Sequence, residues 1–582
     1  MNILFATSEA APFVKTGGLG DVAGSLPVTL KKKGADIRVI LPLYRCISKT
    51  WRDQMTYLAN IYIDIGWRKQ YCGVFSLERE GCTYYFVDNE FYFNGPKPYD
   101  FIHLDCEKFI FFSKAVLSLL PTLGFRPDVI HCNDWQTAAI PVFLDTFRDN
   151  PFFERIKTVM TIHNLKFQGR WDLDGIRDAM GIGDYYFTSD KLEYYNDANL
   201  LKGGIAYADR ITTVSESYAG EIQTPEYGEG LYGLLSARAD TLSGIVNGID
   251  YNEWNPAKDA LLPEAYDQRN AVSKKKLNKK NLQEQLNLPV DENKFVVGMI
   301  SRLTDQKGFD LLAQALDQIA DMDLQLIVLG TGEERYENLF RHYAWKYPEK
   351  ISANIYFSNE RAHLIYAACD AFLMPSAFEP CGLSQLISLH YGTVPIVRET
   401  GGLKDTVVPY NEYTGEGDGF SFAYYNSDDM MHVLRYAADT YYNHKDSWTK
   451  LMKNGMKADF SWDQSAEKYL RLYEELLGLP HAEKKQEEKK AEKKEEKKEE
   501  KKPAPKKEAK KPAVKKAKGI AEKAEPAAEE PKKTPETAPK KETAKPEEKT
   551  VKAEKPVKKT EETAKTTAEK KPAKKTVTKK KA

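Results

Sequence analysis

Across the first 480 residues, short β-branched and apolar runs alternate with longer stretches of helical spacing, which predicts parallel sheets flanked by helices. In the first half the predicted strands are Ile3–Ala6, Asp36–Leu41, Tyr84–Val87, Val129–His131, Thr158–Ile162 and Arg210–Val214, most of them ending in small, polar or His residues. The stretch Tyr251–Asn293 carries Trp-Asn-Pro, Leu-Pro and a basic, helix-prone segment, but no strand. The alternation then restarts, with strands predicted at Phe295–Ile300, Gln325–Leu329, Ile355–Phe357, Ala371–Met374 and Val394–Val397, and a helix over Phe309–Ala320. Near residue 470, Tyr469, Leu470, Tyr473 and Leu477 fall at helical spacing for one buried face of a helix over Trp462–Leu477. The second half repeats the architecture of the first without repeating its sequence. The reading is an α/β chain of two domains, each about 200 residues, spanning 1–245 and 246–480. Two such domains leave a cleft between them, and ligands gather at the carboxyl ends of the strands that face it.

Composition changes that picture only beyond Pro480. Residues 481–582 hold 36 Lys and 21 Glu, with no Arg, Asp, aromatic, Leu, Met or Cys, so they have nothing with which to build a core and are predicted to be disordered. The whole chain has 85 basic and 85 acidic side chains, so its zero net charge is a cancellation of −15 before the tail against +15 within it. A polycationic tail raises the expectation of polyanion or nucleic-acid binding, which its glutamates dilute. No apolar run reaches the roughly 18 residues that a membrane-spanning helix needs, and the chain opens on a strand with no signal or transit peptide in view. Seven scattered cysteines without a Cys-x-x-Cys pair argue against a disulfide framework or a zinc ribbon. A cytoplasmic protein without membrane attachment is expected.

Four segments carry candidate chemistry. Lys15-Thr-Gly-Gly-Leu-Gly-Asp21 follows the first strand and opens the helical run Val22–Lys33, so free N–H groups and the Lys15 charge make an anion site. Arg302 and Lys307 lie in Ser301-Arg-Leu-Thr-Asp-Gln-Lys-Gly308, between a strand and a helix, where two cations suit a diphosphate. Glu379, in Pro375-Ser-Ala-Phe-Glu-Pro-Cys-Gly-Leu383, is placed at the start of a helix, able to accept from N–H groups and sugar hydroxyls. Thr400-Gly-Gly-Leu403 supplies a further glycine-rich turn after a strand. His131-Cys-Asn-Asp-Trp135 and Thr161-Ile-His-Asn164 add polar groups at strand ends in the first half, though a lone His in such a place is more often structural. Serine-hydrolase, zinc-protease, EF-hand and dinucleotide signatures are all missing. Asp172-Leu-Asp174 and Asp321-Met-Asp323 invite a metal reading, but the latter precedes a strand and reads as a turn. No metal and no cofactor are expected.

In this order and spacing the four segments closely resemble the bacterial glycogen synthase and plant starch synthase family, glycosyltransferase family 5, over essentially residues 1 to 478. The resemblance implies a GT-B fold of two Rossmann-like domains, an acceptor-side starch synthase catalytic domain followed by a nucleotide-sugar domain, with 462–478 crossing back to the first. It implies transfer of glucose from ADP-glucose, or alternatively UDP-glucose, to the non-reducing end of an α-1,4-glucan with retention at the anomeric carbon. A non-catalytic glucan-binding protein would keep the same fold; loss of Lys15, Arg302, Lys307 or Glu379 would favour that reading, and all four are present.

Carried onto this chain, the resemblance places Lys15 and Gly18 at the donor phosphates and sugar, and Asp21 at the same turn. Arg302 and Lys307 go to the diphosphate, and Glu379 with Cys381, Gly382 and Leu383 to the glucosyl hydroxyls. Thr400 and Gly401 go to the distal phosphate and His163 beside the transferred sugar. Glu9, Asp134 and Trp135 become acceptor-side groups, with the Trp135 face a platform for a glucose ring. Glu379 is a positioning carboxylate rather than a nucleophile, because this family is not expected to form the covalent intermediate of retaining glycosidases. Two departures stand out. Phe357, with Tyr356 beside it, occupies the place of the Tyr that commonly stacks on the nucleobase, and the Lys/Glu/Ala/Pro tail has no counterpart.

Overall fold

The computed structural model of the chain describes residues 1–99 and 102–480. The tail 481–582, expected to be disordered, lies outside the described residues. Strands β1 (Asn2–Ala6), β2 (Asp36–Pro42), β3 (Thr56–Ile65), β4 (Arg68–Arg79), β5 (Cys82–Asp88), β6 (Val129–Asn133) and β7 (Lys157–Ile162) lead into a small antiparallel sheet of β8 (Arg170–Asp172), β9 (Glu193–Tyr194) and β10 (Asp197–Asn199). With β11 (Arg210–Thr213) and β12 (Leu242–Gly244), the first seven form a nine-stranded sheet in the order β12-β11-β7-β6-β1-β2-β5-β4-β3. The chain leaves β1 toward β2 and later returns to its other side as β6, so the switch of direction lies between β1 and β6, where a doubly wound sheet opens a crevice.

The second sheet comprises β13 (Phe295–Ile300), β14 (Leu324–Leu329), β15 (Ile351–Asn354), β16 (Ala371–Met374), β17 (Val394–Arg398) and β18 (Phe420–Phe422), all parallel, in the order β15-β14-β13-β16-β17-β18. Its switch lies between β13 and β16. Each sheet has its own apolar core. The first includes Phe5, Phe86, Phe111 and Ile130, and the second Phe309, Ile327, Phe372 and Ile396, all almost wholly buried.

Three predicted elements need correction. The first sheet is not wholly parallel, because β3 and β4 extend it as an antiparallel ribbon that the sequence reading missed. The strand expected at Ile355–Phe357 lies earlier, at β15. This edge strand pairs with β14 up to Leu329 opposite Asn354, and β14 ends there, so the next three residues have no ladder to join. The helix expected from Val22 begins at Gly18, so the glycine-rich loop runs straight into its first turn.

The helix Trp462–Leu476 packs into the first core, not the second. Trp462, Ala466, Tyr469 and Tyr473 are buried there, and Ser465 Oγ donates to Val246 O at 2.6 Å. Tyr473 Oη meets His131 Nδ1 at 2.7 Å, and His131 Nε2 meets Thr161 Oγ1 at 2.5 Å, so the helix is bonded to the ends of β6 and β7. Removing even one buried aromatic typically costs about 3–5 kcal/mol. A chain ending before Trp462 is therefore expected to show no cooperative thermal unfolding transition, whereas one ending at Pro480 keeps the transition and the activity of the full chain. A folded, active chain lacking Trp462–Leu476 would contradict this assignment.

Candidate active site

Each sheet delivers its chemistry from its switch point. After β1 the chain turns through Glu9, which is buried and accepts hydrogen bonds from Thr16 N, from Thr16 Oγ1 at 2.6 Å and from Tyr99 Oη at 2.7 Å. Glu9, expected on the acceptor side, thus anchors the glycine-rich loop. Lys15 pairs with Asp21 at 2.6 Å, and burial raises the Asp21 carboxyl above its ordinary value despite that lysine. Gly18 lies at the other end of the loop, and a Cβ placed on it would stand 3.7 Å from Leu383 Cδ1. The loop of the first domain and the Glu379 loop of the second therefore face each other directly.

At the ends of β6 and β7, Asp134 takes φ 57° and ψ −177°, a region nearly reserved for glycine. Its neighbours hold it there. Asp134 N donates to Thr161 O at 2.9 Å, and its Oδ1 accepts from His163 N at 2.7 Å. Burial pushes the Asp134 carboxyl up to about 7, against the pull of the His163 and Asn164 N–H groups. Burial also lowers His163 to about 3, so its ring is neutral near pH 7. Asn133 Nδ2 donates to Ala6 O at 3.0 Å, which turns its Oδ1 toward His163 Nε2 at 2.9 Å. That pairing assigns the proton to Nε2 and leaves Nδ1 as the acceptor.

The Asp134 shift has a testable consequence. Because its folded value is raised, the folded protein holds a proton that the unfolded chain has released between about pH 4 and 7. The stabilisation is complete at low pH and is lost as pH rises through about 7. Asp134→Asn is expected to remove this decline, so the melting temperature of the variant relative to the parent should rise between pH 5 and 8. A constant difference across that range would contradict a raised carboxyl.

Trp135 does not present a free face. It is only 9% exposed, edge-on to Phe109 at 5.0 Å and against Trp171 at 5.2 Å, so the platform expected for a glucose ring is largely covered.

In the second domain Glu379 is 5% exposed and precedes the helix Ser384–His390 by several residues, so it stands in a loop rather than at the helix start. Its Oε2 accepts from Lys307 Nζ at 2.6 Å and from Ser376 Oγ at 3.0 Å. Lys307, expected on a diphosphate, is thus held against the carboxylate it would work with. Arg302 is exposed and has no side-chain partner among the described residues. Gly382 needs its φ of +74°, and a Cβ there would stand 2.3 Å from Gln385 Oε1, so the turn between buried Cys381 and Leu383 is specific to glycine. Phe357 is 91% exposed beside Tyr356, a ring free to stack.

Thr400 and Gly401 do not stand open to a phosphate. Gly401 N donates to Glu221 Oε1 at 2.9 Å and Thr400 Oγ1 donates to the same atom at 3.1 Å. Glu221 ends the first-domain helix Glu216–Glu221, and burial raises its carboxyl above the ordinary value. From the same helix, Ser217 N and Oγ donate to Asp405 of the second domain at 3.0 and 2.5 Å. Sequence reasoning missed Glu221, Ser376 and Tyr99. Ser376 left the clearest trace, since it lies in the Glu379 segment two residues past the predicted strand Ala371–Met374, and Glu221 a weaker one, seven residues past the predicted strand Arg210–Val214. The two Asp-x-Asp strings serve as cap and ion pair: Asp172 accepts from Gly175 N at 2.6 Å, and Asp323 pairs with Lys294. Among the described residues no group of three or more His, Cys, Asp or Glu side chains is gathered as for a metal, and no helix is long and apolar enough to cross a membrane.

Two doubly wound domains thus aim their switch points into one cleft. Residues 2–237 match the family described as the starch synthase catalytic domain, and 279–453 match glycosyl transferases group 1. The chain is 62% identical to the glycogen synthase of Lachnospira eligens over 82% of its own length and 100% of that protein. It is 56% identical to the glycogen synthase of Lachnoclostridium phytofermentans over 81% and 99%. Among solved structures, the catalytic domain of starch synthase IV from Arabidopsis thaliana, bound to ADP and acarbose, is 30% identical with a TM-score of 0.76, covering 82% of this chain and 99% of that one. The chain belongs to the glycogen and starch synthase family.

Proposed function

We propose that the enzyme transfers glucose from ADP-glucose to the non-reducing end of an α-1,4-glucan with retention at the anomeric carbon. The observation that carries this reading is the Lys307–Glu379–Ser376 cluster, in which Glu379 and Ser376 are buried in a loop whose Leu383 faces Gly18 of the opposite domain and Lys307 reaches them from the turn after Phe295–Ile300. A donor lying between those loops has a cation for its leaving diphosphate and a fixed carboxylate for its sugar hydroxyls. The ADP and acarbose bound to the Arabidopsis relative support an adenine nucleotide and an α-glucan as the substrates here.

In the proposed reaction the acceptor oxygen attacks C1 from the face that the diphosphate leaves. The bond from C1 to the phosphate oxygen breaks, the new C1–O bond forms, and the acceptor proton passes to the departing phosphate. Lys307 and Arg302 stabilise charge growing on that phosphate, and Lys15 approaches it from the first domain. Glu379 orients the glucosyl ring, with Cys381 and Gly382 shaping its loop. Neutral His163 accepts from a sugar hydroxyl through Nδ1, and Phe357 stacks on the base. Positioning and electrostatics then carry the catalysis, without a covalent sugar intermediate.

Proton NMR of the product formed from α-configured ADP-glucose and a maltooligosaccharide tests the stereochemistry. New α-1,4 anomeric signals are expected, and β-linked product would contradict same-face attack.

A further inference from the structure

The Glu379 loop is braced from behind by the Thr400–Gly402 turn. Gly402 N donates to Glu379 O at 3.1 Å. Gly401 has φ +45°, and a Cβ on it would stand 2.0 Å from the same carbonyl oxygen, so the two backbones are in direct contact. Arg398, just before the turn, donates from Nη1 to Ala377 O at 2.6 Å and ties down the loop's other end. The turn is held in its own place by the opposite domain, because the hydrogen of Gly401 N and that of Thr400 Oγ1 both go to Glu221.

We propose that Glu221 is a positioning residue for Glu379: it reaches across the cleft, fixes the Thr400–Gly402 turn, and so sets the main chain that carries the Glu379 carboxylate. Closure of the cleft and assembly of the site become one event, because the brace is complete only when the first domain brings Glu221 to the turn. The reciprocal Ser217–Asp405 bonds hold the helix Glu216–Glu221 to the helix Gly401–Thr406, which runs on from the turn, without touching the Glu379 loop. Displacing a catalytic group by about 1 Å costs about a hundredfold in rate, so a brace of two hydrogen bonds suffices to matter. The inference rests on the role proposed for Glu379.

The test compares the parent with Glu221→Ala and Glu221→Gln, using ADP-glucose and glycogen, calorimetric ADP binding, and hydrogen exchange of segment 376–383. Glu221→Ala is expected to lower kcat at least about tenfold, with donor KM and ADP affinity changed less than about twofold and faster exchange in 376–383. Glu221→Gln keeps an acceptor oxygen for both donors and is expected to restore kcat and exchange to near the parent values. Unchanged kcat and exchange in the alanine variant would overturn the proposal. So would a change confined to donor or ADP affinity, which would make Glu221 a placeholder for the distal phosphate. Failure of glutamine to rescue would overturn it too, since charge rather than placement would then be the agent. A parent inactive with any donor would count against the proposed function, and the exchange comparison would still decide whether Glu221 braces the loop.

Discussion

Replacing Glu379 by alanine is expected to lower kcat by about a thousandfold, the upper end of what one preorganised transition-state group supplies, while the protein remains folded. The side chain is buried at the cleft, and its partners are Lys307 and Ser376 rather than a core, so its loss removes no apolar packing. It does release Lys307 from its counterion. ADP affinity should therefore be unchanged or higher, because a cation freed from a carboxylate is available to a phosphate. This sign separates a damaged reaction from a damaged fold. Titration calorimetry with ADP, alongside single-turnover transfer, checks it. Near-normal turnover, or ADP affinity lost together with activity, would contradict the assignment.

Lys307→Ala is expected to have the opposite electrostatic signature and a second cost. It leaves the Glu379 carboxylate 5% exposed with only Ser376 donating to it. Breaking a buried pair by removing one partner costs about 3–5 kcal/mol, and Lys307 is itself only partly exposed, so a loss near the low end of that range is expected in thermal or urea unfolding. Turnover should fall by about a hundredfold or more, because charge on the leaving diphosphate is greatest in the transition state. ADP binding should weaken, since the remaining carboxylate now repels the phosphates. Adding Glu379→Gln to Lys307→Ala should recover much of the stability and some ADP affinity but no activity, a non-additive result expected of residues that act as a pair. Strictly additive stability effects would mean that the 2.6 Å contact does not couple the two side chains.

The central strands were legible because parallel strands buried on both faces read as near-continuous runs of apolar and β-branched residues, as in Phe295–Ile300 and Thr158–Ile162. The motif residues were legible because glycines and charges after such runs fall at the carboxyl ends of the sheet. What escaped was set by contacts between distant segments. The β3–β4 ribbon is exposed over much of its length: Thr56–Ile65 carries Tyr57-Leu58-Ala59 and Ile61-Tyr62-Ile63 but buries only Ile63 and Ile65, and its place comes from antiparallel pairing at the edge of an otherwise parallel sheet. Trp135 reads as a sugar platform until Phe109 and Trp171, far away in sequence, are packed against it. The Ile355–Phe357 run has strand chemistry but no neighbour, because β14 ends opposite Asn354. Thr400 and Gly401 carry the composition of an anion site, and only the folded chain brings Glu221 to them.

Transfer of radiolabelled glucose to glycogen, with ADP-glucose and UDP-glucose compared at equal concentration, tests the account most directly. Label is expected in polymer that amylase releases as α-1,4-linked maltooligosaccharides, with ADP-glucose the better donor and Glu379→Ala inactive with both. Absence of transfer from either nucleotide sugar by the folded enzyme, or full transfer by the Glu379 variant, would contradict it.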